Sequence, residues 1–132
     1  ERLAPLLLRA DPPPPAVLLA EISREVDAMA ADGSTDLRRI ALLGWAEAQR
    51  SARMRDALAG HYGRLREALT AVAVRWRDRG AVHAAAPPPA VARAFLALAM
   101  GYAAQATVLG DIDPETLAAG LRGIAAAPRE VA

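Results

Sequence analysis

Apolar positions in this chain recur almost everywhere at steps of three and four, the spacing that places side chains on one face of an α-helix. From Ala16 to Ala31 the apolar residues Leu19, Ile22, Val26 and Met29 make one stripe while Glu21, Arg24 and Asp27 point elsewhere, which predicts an amphipathic helix. Asp32-Gly33 ends it, and Ser34 or Thr35 is placed to cap the next. From Asp36 to about Gln49 the pattern changes. Ile40, Ala41, Leu42, Leu43, Gly44, Trp45 and Ala46 cover every side, and a helix apolar all round is expected at the centre of a fold.

A longer seam follows, running Met54, Leu58, Tyr62, Leu65, Leu69, Val72 and Trp76, with a stop at Gly80. Gly60 and Gly63 each cost about 1 kcal/mol relative to Ala in a helix interior, so a kink or break near His61 is expected. After the prolines at 87–89 a helix runs to about Leu109 with two faces. Val91, Phe95, Leu98, Tyr102 and Gln105 form a bulky stripe. Ala90, Ala94, Ala97, Gly101, Ala104 and Val108 form a small one, about 100° round the axis. Gly110-Asp111 ends this helix. Asp113-Pro114-Glu115 starts the last, with a cap, a first-turn proline and an acid at the positive end of the dipole, and Leu117, Leu121 and Ile124 are its seam.

The two ends are less regular. Leu3, Leu6 and Leu7 read as the remnant of a helix already under way in residues 1–10, broken by Asp11 and Pro12 to Pro15. The tail from Pro128 is expected to fray.

At 132 residues the chain is the size of one domain, and Ala at about a quarter of the sequence, with few β-branched or aromatic residues, predicts an all-α fold. An antiparallel bundle of about five to six helices follows. With no cysteine there is neither a disulfide framework nor a thiolate metal site. The longest apolar runs, interrupted at Gln105 and Thr107, fall short of a transmembrane span. All sixteen basic residues are Arg, but fifteen acids alternate with them, the net charge is +1, and no basic face for a duplex is expected.

Taken in order, these pieces resemble the C-terminal half of TetR-family transcriptional regulators. The resemblance rests on LLGWAEAQR (Leu42 to Arg50), RMRDALAGHYGRLREAL (Arg53 to Leu69), the stop at RDRGAV (Arg77 to Val82), PPPAVARAFLALAMGY (Pro87 to Tyr102) and DPETLAAGLRGI (Asp113 to Ile124). It implies a single ligand-binding and dimerisation domain over residues 1–132, with residues 1–10 the remnant of a connecting helix and the family's N-terminal helix-turn-helix domain absent from this chain. The implied protein is a bacterial, cytoplasmic repressor whose hold on operator DNA is released by a small apolar effector.

On the residues alone, Trp45, Tyr62, Leu65, Leu69, Trp76, Phe95, Tyr102 and Gln105 either fill the core or line a pocket. The resemblance implies that they line an effector cavity. The small stripe, Ala90, Ala94, Ala97, Gly101, Ala104 and Val108, either packs within the chain or meets a second copy. The resemblance implies a homodimer, with Leu117, Leu121 and Ile124 completing a four-helix interface. His61 and His83 lack the spacing of helix-borne metal ligands, no nucleophile is paired with a base, and neither cofactor nor catalysis is expected. The rival reading is a structural helical-bundle module that binds a protein partner and has a solid core. A closed, mostly apolar cavity bounded by Trp45, Tyr62, Trp76 and Phe95 favours the sensor, and a solid core favours the module.

Overall fold

The computed structural model describes residues 2–33 and 36–126, and among these it contains six helices and no strand. They are α1 (Ala4–Leu7), α2 (Pro15–Ala31), α3 (Leu37–Ala48), α4 (Ala52–Asp78), α5 (Pro88–Val108) and α6 (Pro114–Ala125). The all-α bundle expected from the sequence is therefore the fold. Of the helix expected in residues 1–10, one short turn-and-a-bit forms, carrying Leu7 into the core.

Local chemistry sets the boundaries. Proline occupies the first turn of α2, α5 and α6, where its missing amide costs nothing. The proposed caps Ser34 and Thr35 lie outside the described residues, and α3 is capped by Asp36, whose side chain accepts from the Arg39 amide at 3.3 Å. Asp113 caps α6 in the same way, accepting from Thr116 N at 2.8 Å. In both cases a backbone amide is the main cause that holds the carboxyl below the usual aspartate range. Gly80 takes a φ of +75° to end α4, allowing Ala81 N to reach back to the Trp76 carbonyl at 2.8 Å. The expected frayed tail from Pro128 also falls outside the described residues.

The core lies where the second half of α4 packs between α2 and α5. Leu18, Leu19, Leu69, Val72, Ala73 and Trp76 are each at most 2% exposed. Trp76 packs its ring against Phe95 at 5.4 Å between centroids, and its indole Nε1 donates to the Pro13 carbonyl at 2.7 Å. On the same end of α4, Arg75 donates to the Arg9 carbonyl at 3.0 Å, and Arg79 reaches Asp11 and the Ala10 carbonyl. The proline-rich entry segment is thereby fastened to the last turns of α4. A small satellite cluster, Ala16, Ala20 and Ala118, joins α6 to α2, with an Arg24–Glu115 ion pair alongside.

Three expectations are corrected. The helix apolar on all sides, α3, is not central: none of its residues is buried, and Ile40 and Leu43 are 56% and 66% exposed. It lies against α4 and α5 at one end of the bundle, and the second half of α4, with Leu69, Val72, Ala73 and Trp76 buried on one face, takes the centre instead. The break near His61 does not occur, since α4 continues unbroken from Ala52 to Asp78, with Tyr62 and Leu65 packed against the core across the two glycines. Finally, α5 is long and apolar enough, by length and composition alone, to span a bilayer, contrary to the reading that its runs are too interrupted. In this fold that apolarity serves a core face through Ala92, Phe95, Leu96 and Tyr102.

Candidate functional site

Where α3 and the first half of α4 splay from α2 and α5, the bundle is hollow. A cavity of about 740 Å³ opens there, within the range that takes drug-sized molecules. Each helix contributes for a reason visible in its pattern. α2 presents Ile22, Ser23 and Val26 from its apolar stripe, α5 presents Phe95, Ala99 and Met100, and α4 presents Met54, Leu58 and Tyr62. The apolar side chains of α3 that find no core form the fourth wall, and Leu3 and Leu7 of α1 close one corner.

Six of the eight residues expected at a pocket line this one: Trp45, Tyr62, Leu65, Leu69, Phe95 and Tyr102. Trp76 and Gln105 do not. Trp76 is fourteen residues beyond Tyr62 on a continuous helix, about 21 Å along the axis, and it is sealed in the core at 1% exposure. Gln105 is turned about 80° round α5 from Phe95 and is exposed. Sequence reasoning missed Ser23, Arg38 and Glu47, while His61, beside Tyr62, reads from the sequence as either a ligand contact or a helix-surface residue and stands at the rim. For Ser23 a signal existed, since it is the polar residue on the apolar stripe Leu19, Ile22, Val26; for Arg38 and Glu47 none did.

The polar groups around the cavity are mostly satisfied by one another. The Trp45 indole Nε1 donates to the Tyr62 hydroxyl at 2.8 Å, joining α3 to α4. The Tyr102 hydroxyl donates to Asp27, which also accepts from Arg38 Nη1 at 3.2 Å, and Arg38 Nε reaches Asp36 at 3.4 Å. This chain ties α5, α2 and α3 together. Burial, and then the Asp27 carboxylate, push the Tyr102 hydroxyl well above the usual phenol range. Glu47 is paired with Arg50 at 2.9 Å. His61 is exposed at the rim, its ring edge-on to Tyr62 with centroids 5.1 Å apart, and His83 Nδ1 accepts from the Ala85 amide in the loop before α5.

The small-residue face of α5 lies opposite its core face. Ala90, Ala94, Ala97 and Val108 are exposed and Gly101 and Ala104 half-buried, so this stripe is not used for packing within the described residues. The core face has moved round from the expected bulky stripe toward Ala92, Leu96 and Ala99, roughly half a turn from the small one. On α6, Leu117 and Leu121 are half-buried against the body of the chain, while Ile124 is 83% exposed.

No curated protein and no solved structure matches the chain. Residues 19–127, spanning α2 to α6 and every wall of the cavity except the α1 corner, match the C-terminal domain of BetI-type transcriptional repressors. A six-helix all-α bundle with that match over most of its length belongs to this family of TetR-type regulatory domains.

Proposed function

We propose that this chain is the ligand-sensing and dimerisation domain of a TetR-like repressor, and that a small apolar effector occupying the cavity releases the regulator from DNA. The observation that carries this reading is the cavity: about 740 Å³ of space walled almost wholly by apolar side chains, in a domain of a repressor family. An apolar space of this size between four helices is what the reading as a structural module with a solid core does not account for. Of the four residues expected to bound a closed cavity, Trp45, Tyr62 and Phe95 line this one and Trp76 does not, and its α3 side is open to solvent at Ile40 and Leu43.

A second copy of the chain is the partner we assign to the outer face of α5. That face offers alanines and a glycine over five turns, with Ile124 of α6 as a further exposed apolar group, and small residues let two helices approach closely. Operator contact belongs, on this reading, to a helix-turn-helix segment outside residues 1–132. The effector then acts by preferring one of two conformations of the dimer. Reversing their populations from 1:99 to 99:1 needs about 5.5 kcal/mol of differential affinity.

A panel of hydrophobic ligands tests the sensor: one held at a hundred times its dissociation constant raises the unfolding free energy by about 2.7 kcal/mol. No stabilisation by any of them contradicts it. For the dimer, sedimentation equilibrium at micromolar concentration gives two copies for the native chain and one for Gly101→Arg. A native monomer unaffected by that substitution sinks the interface.

A further inference from the structure

Besides His61 on the exposed rim, two hydrogen-bonding groups in the cavity wall are left uncommitted. The first is Tyr62. Its oxygen accepts from Trp45 Nε1, but its own O–H has no acceptor in the chain and is free to donate. The second is Ser23, which is 2% exposed and lines the cavity from α2. Its hydroxyl makes no hydrogen bond to the chain, yet among the described residues no side-chain oxygen is sealed from space without a partner. The Ser23 hydroxyl therefore faces the hollow itself. A polar group there gains nothing from an apolar wall and favours an occupant that can bond to it.

The charged groups show the opposite pattern. Asp27 is taken by Tyr102 and Arg38, Arg38 also holds Asp36, and Glu47 is held by Arg50. The carboxylates and the guanidinium at the cavity wall thus have their counter-charges already. An anionic or cationic occupant held among these walls would lose its hydration and find no free counter-charge there, the unpaired His61 standing outside on the exposed rim, and that is costly in an apolar site.

We infer, building on the sensor reading above, that the effector is an uncharged, mostly apolar molecule bearing carbonyl- or ether-type oxygens, held by the Tyr62 O–H and the Ser23 hydroxyl. These two side chains are the specificity determinants of the site. The hydrocarbon remainder is held by Leu58, Phe95, Ala99 and Met100 and needs no particular pattern of atoms.

The test uses the 132-residue chain and diphenylhexatriene, a hydrocarbon fluorophore with no hydrogen-bonding group. Decane-2,9-dione, decanoate and decyltrimethylammonium, three molecules of similar length, compete for its site. The dione displaces the fluorophore at a concentration about tenfold lower than either ion. Tyr62→Phe and Ser23→Ala together weaken the dione about 2- to 10-fold per hydrogen bond lost, the range expected for neutral pairs, with at least one single variant showing a loss by itself. In each variant that loses dione affinity the loss exceeds any loss of fluorophore affinity, whereas a general loosening of the wall, including one that follows from removing the acceptor of Trp45 Nε1, weakens both alike. Competition by either ion equal to the dione's, or undiminished dione binding in the double variant, overturns the inference while leaving the sensor in place. No binding of the fluorophore to the native chain overturns both.

Discussion

The two ends of α4 obey one seam and have opposite fates. From Leu69 to Trp76 the stripe is enclosed between α2 and α5, with Leu69, Val72, Ala73 and Trp76 at 2% exposure or less. From Met54 to Tyr62 the same stripe is half-buried and faces a hollow. The two tryptophans mark the contrast. Each satisfies its indole N–H, Trp76 on a backbone carbonyl of the entry segment and Trp45 on a tyrosine hydroxyl at the cavity rim. One is fixed structure and the other is a wall. On the proposed sensor reading, a domain that must stay folded while it admits a ligand needs its stability placed away from the site.

The largest test of that division is truncation at the solid end. Trp76→Ala removes a fully buried indole and lowers the unfolding free energy by about 3–5 kcal/mol, read from urea denaturation. Trp45→Phe at the hollow end loses one net hydrogen bond and costs about 1 kcal/mol. Comparable losses at both would mean that the chain has one uniform core.

Adding volume sharpens the same comparison from the other side. Ala73→Leu forces extra methylenes into packed space and costs about 1–3 kcal/mol. Ala99→Leu extends into the cavity, where apolar volume is wanting, and leaves stability unchanged or raises it. A clear loss at Ala99 would show that the hollow is not space the native protein keeps.

The smallest effect concerns the polar chain that ties the cavity walls. Because the Tyr102 hydroxyl is harder to ionise in the fold than in the unfolded chain, the folded state keeps its proton when the unfolded state has lost it. Its contribution is thus fully present below the ordinary phenol pKa of about 10 and is lost as pH rises beyond it. Denaturation midpoints fall more steeply above pH 10 in the native chain than in Tyr102→Phe. Parallel slopes would remove Tyr102 from the account.

How much of this was legible in the sequence follows the same divide. Helix boundaries were readable because proline, glycine and aspartate act locally: Pro15, Gly80 and Asp113 mark real starts, stops and caps. The solid end was readable because Leu69, Val72 and Trp76 keep one face over two turns. Hollowness was not. Ile40 to Ala46 carries as much apolar surface as a core helix, and only the competition between helices for one interior decides that α4 wins it and α3 becomes a wall. Of the residues expected at a pocket, Tyr62 and Leu65 line the cavity because their spacing keeps them at one end of α4, and Trp76 does not, because the seam runs on into the core. The pairing of Asp27 with Tyr102 and Arg38 joins three helices and leaves no trace in local spacing.

Titration of diphenylhexatriene into the native chain and into Ala99→Leu addresses the central claim most directly, since the fluorophore reports only when it is taken into an apolar site. The account predicts saturable binding at one site per native chain, and weakening by about tenfold or more when the added side chain occupies the hollow. Absence of saturable binding to the native chain, or equal affinity in Ala99→Leu, would contradict it.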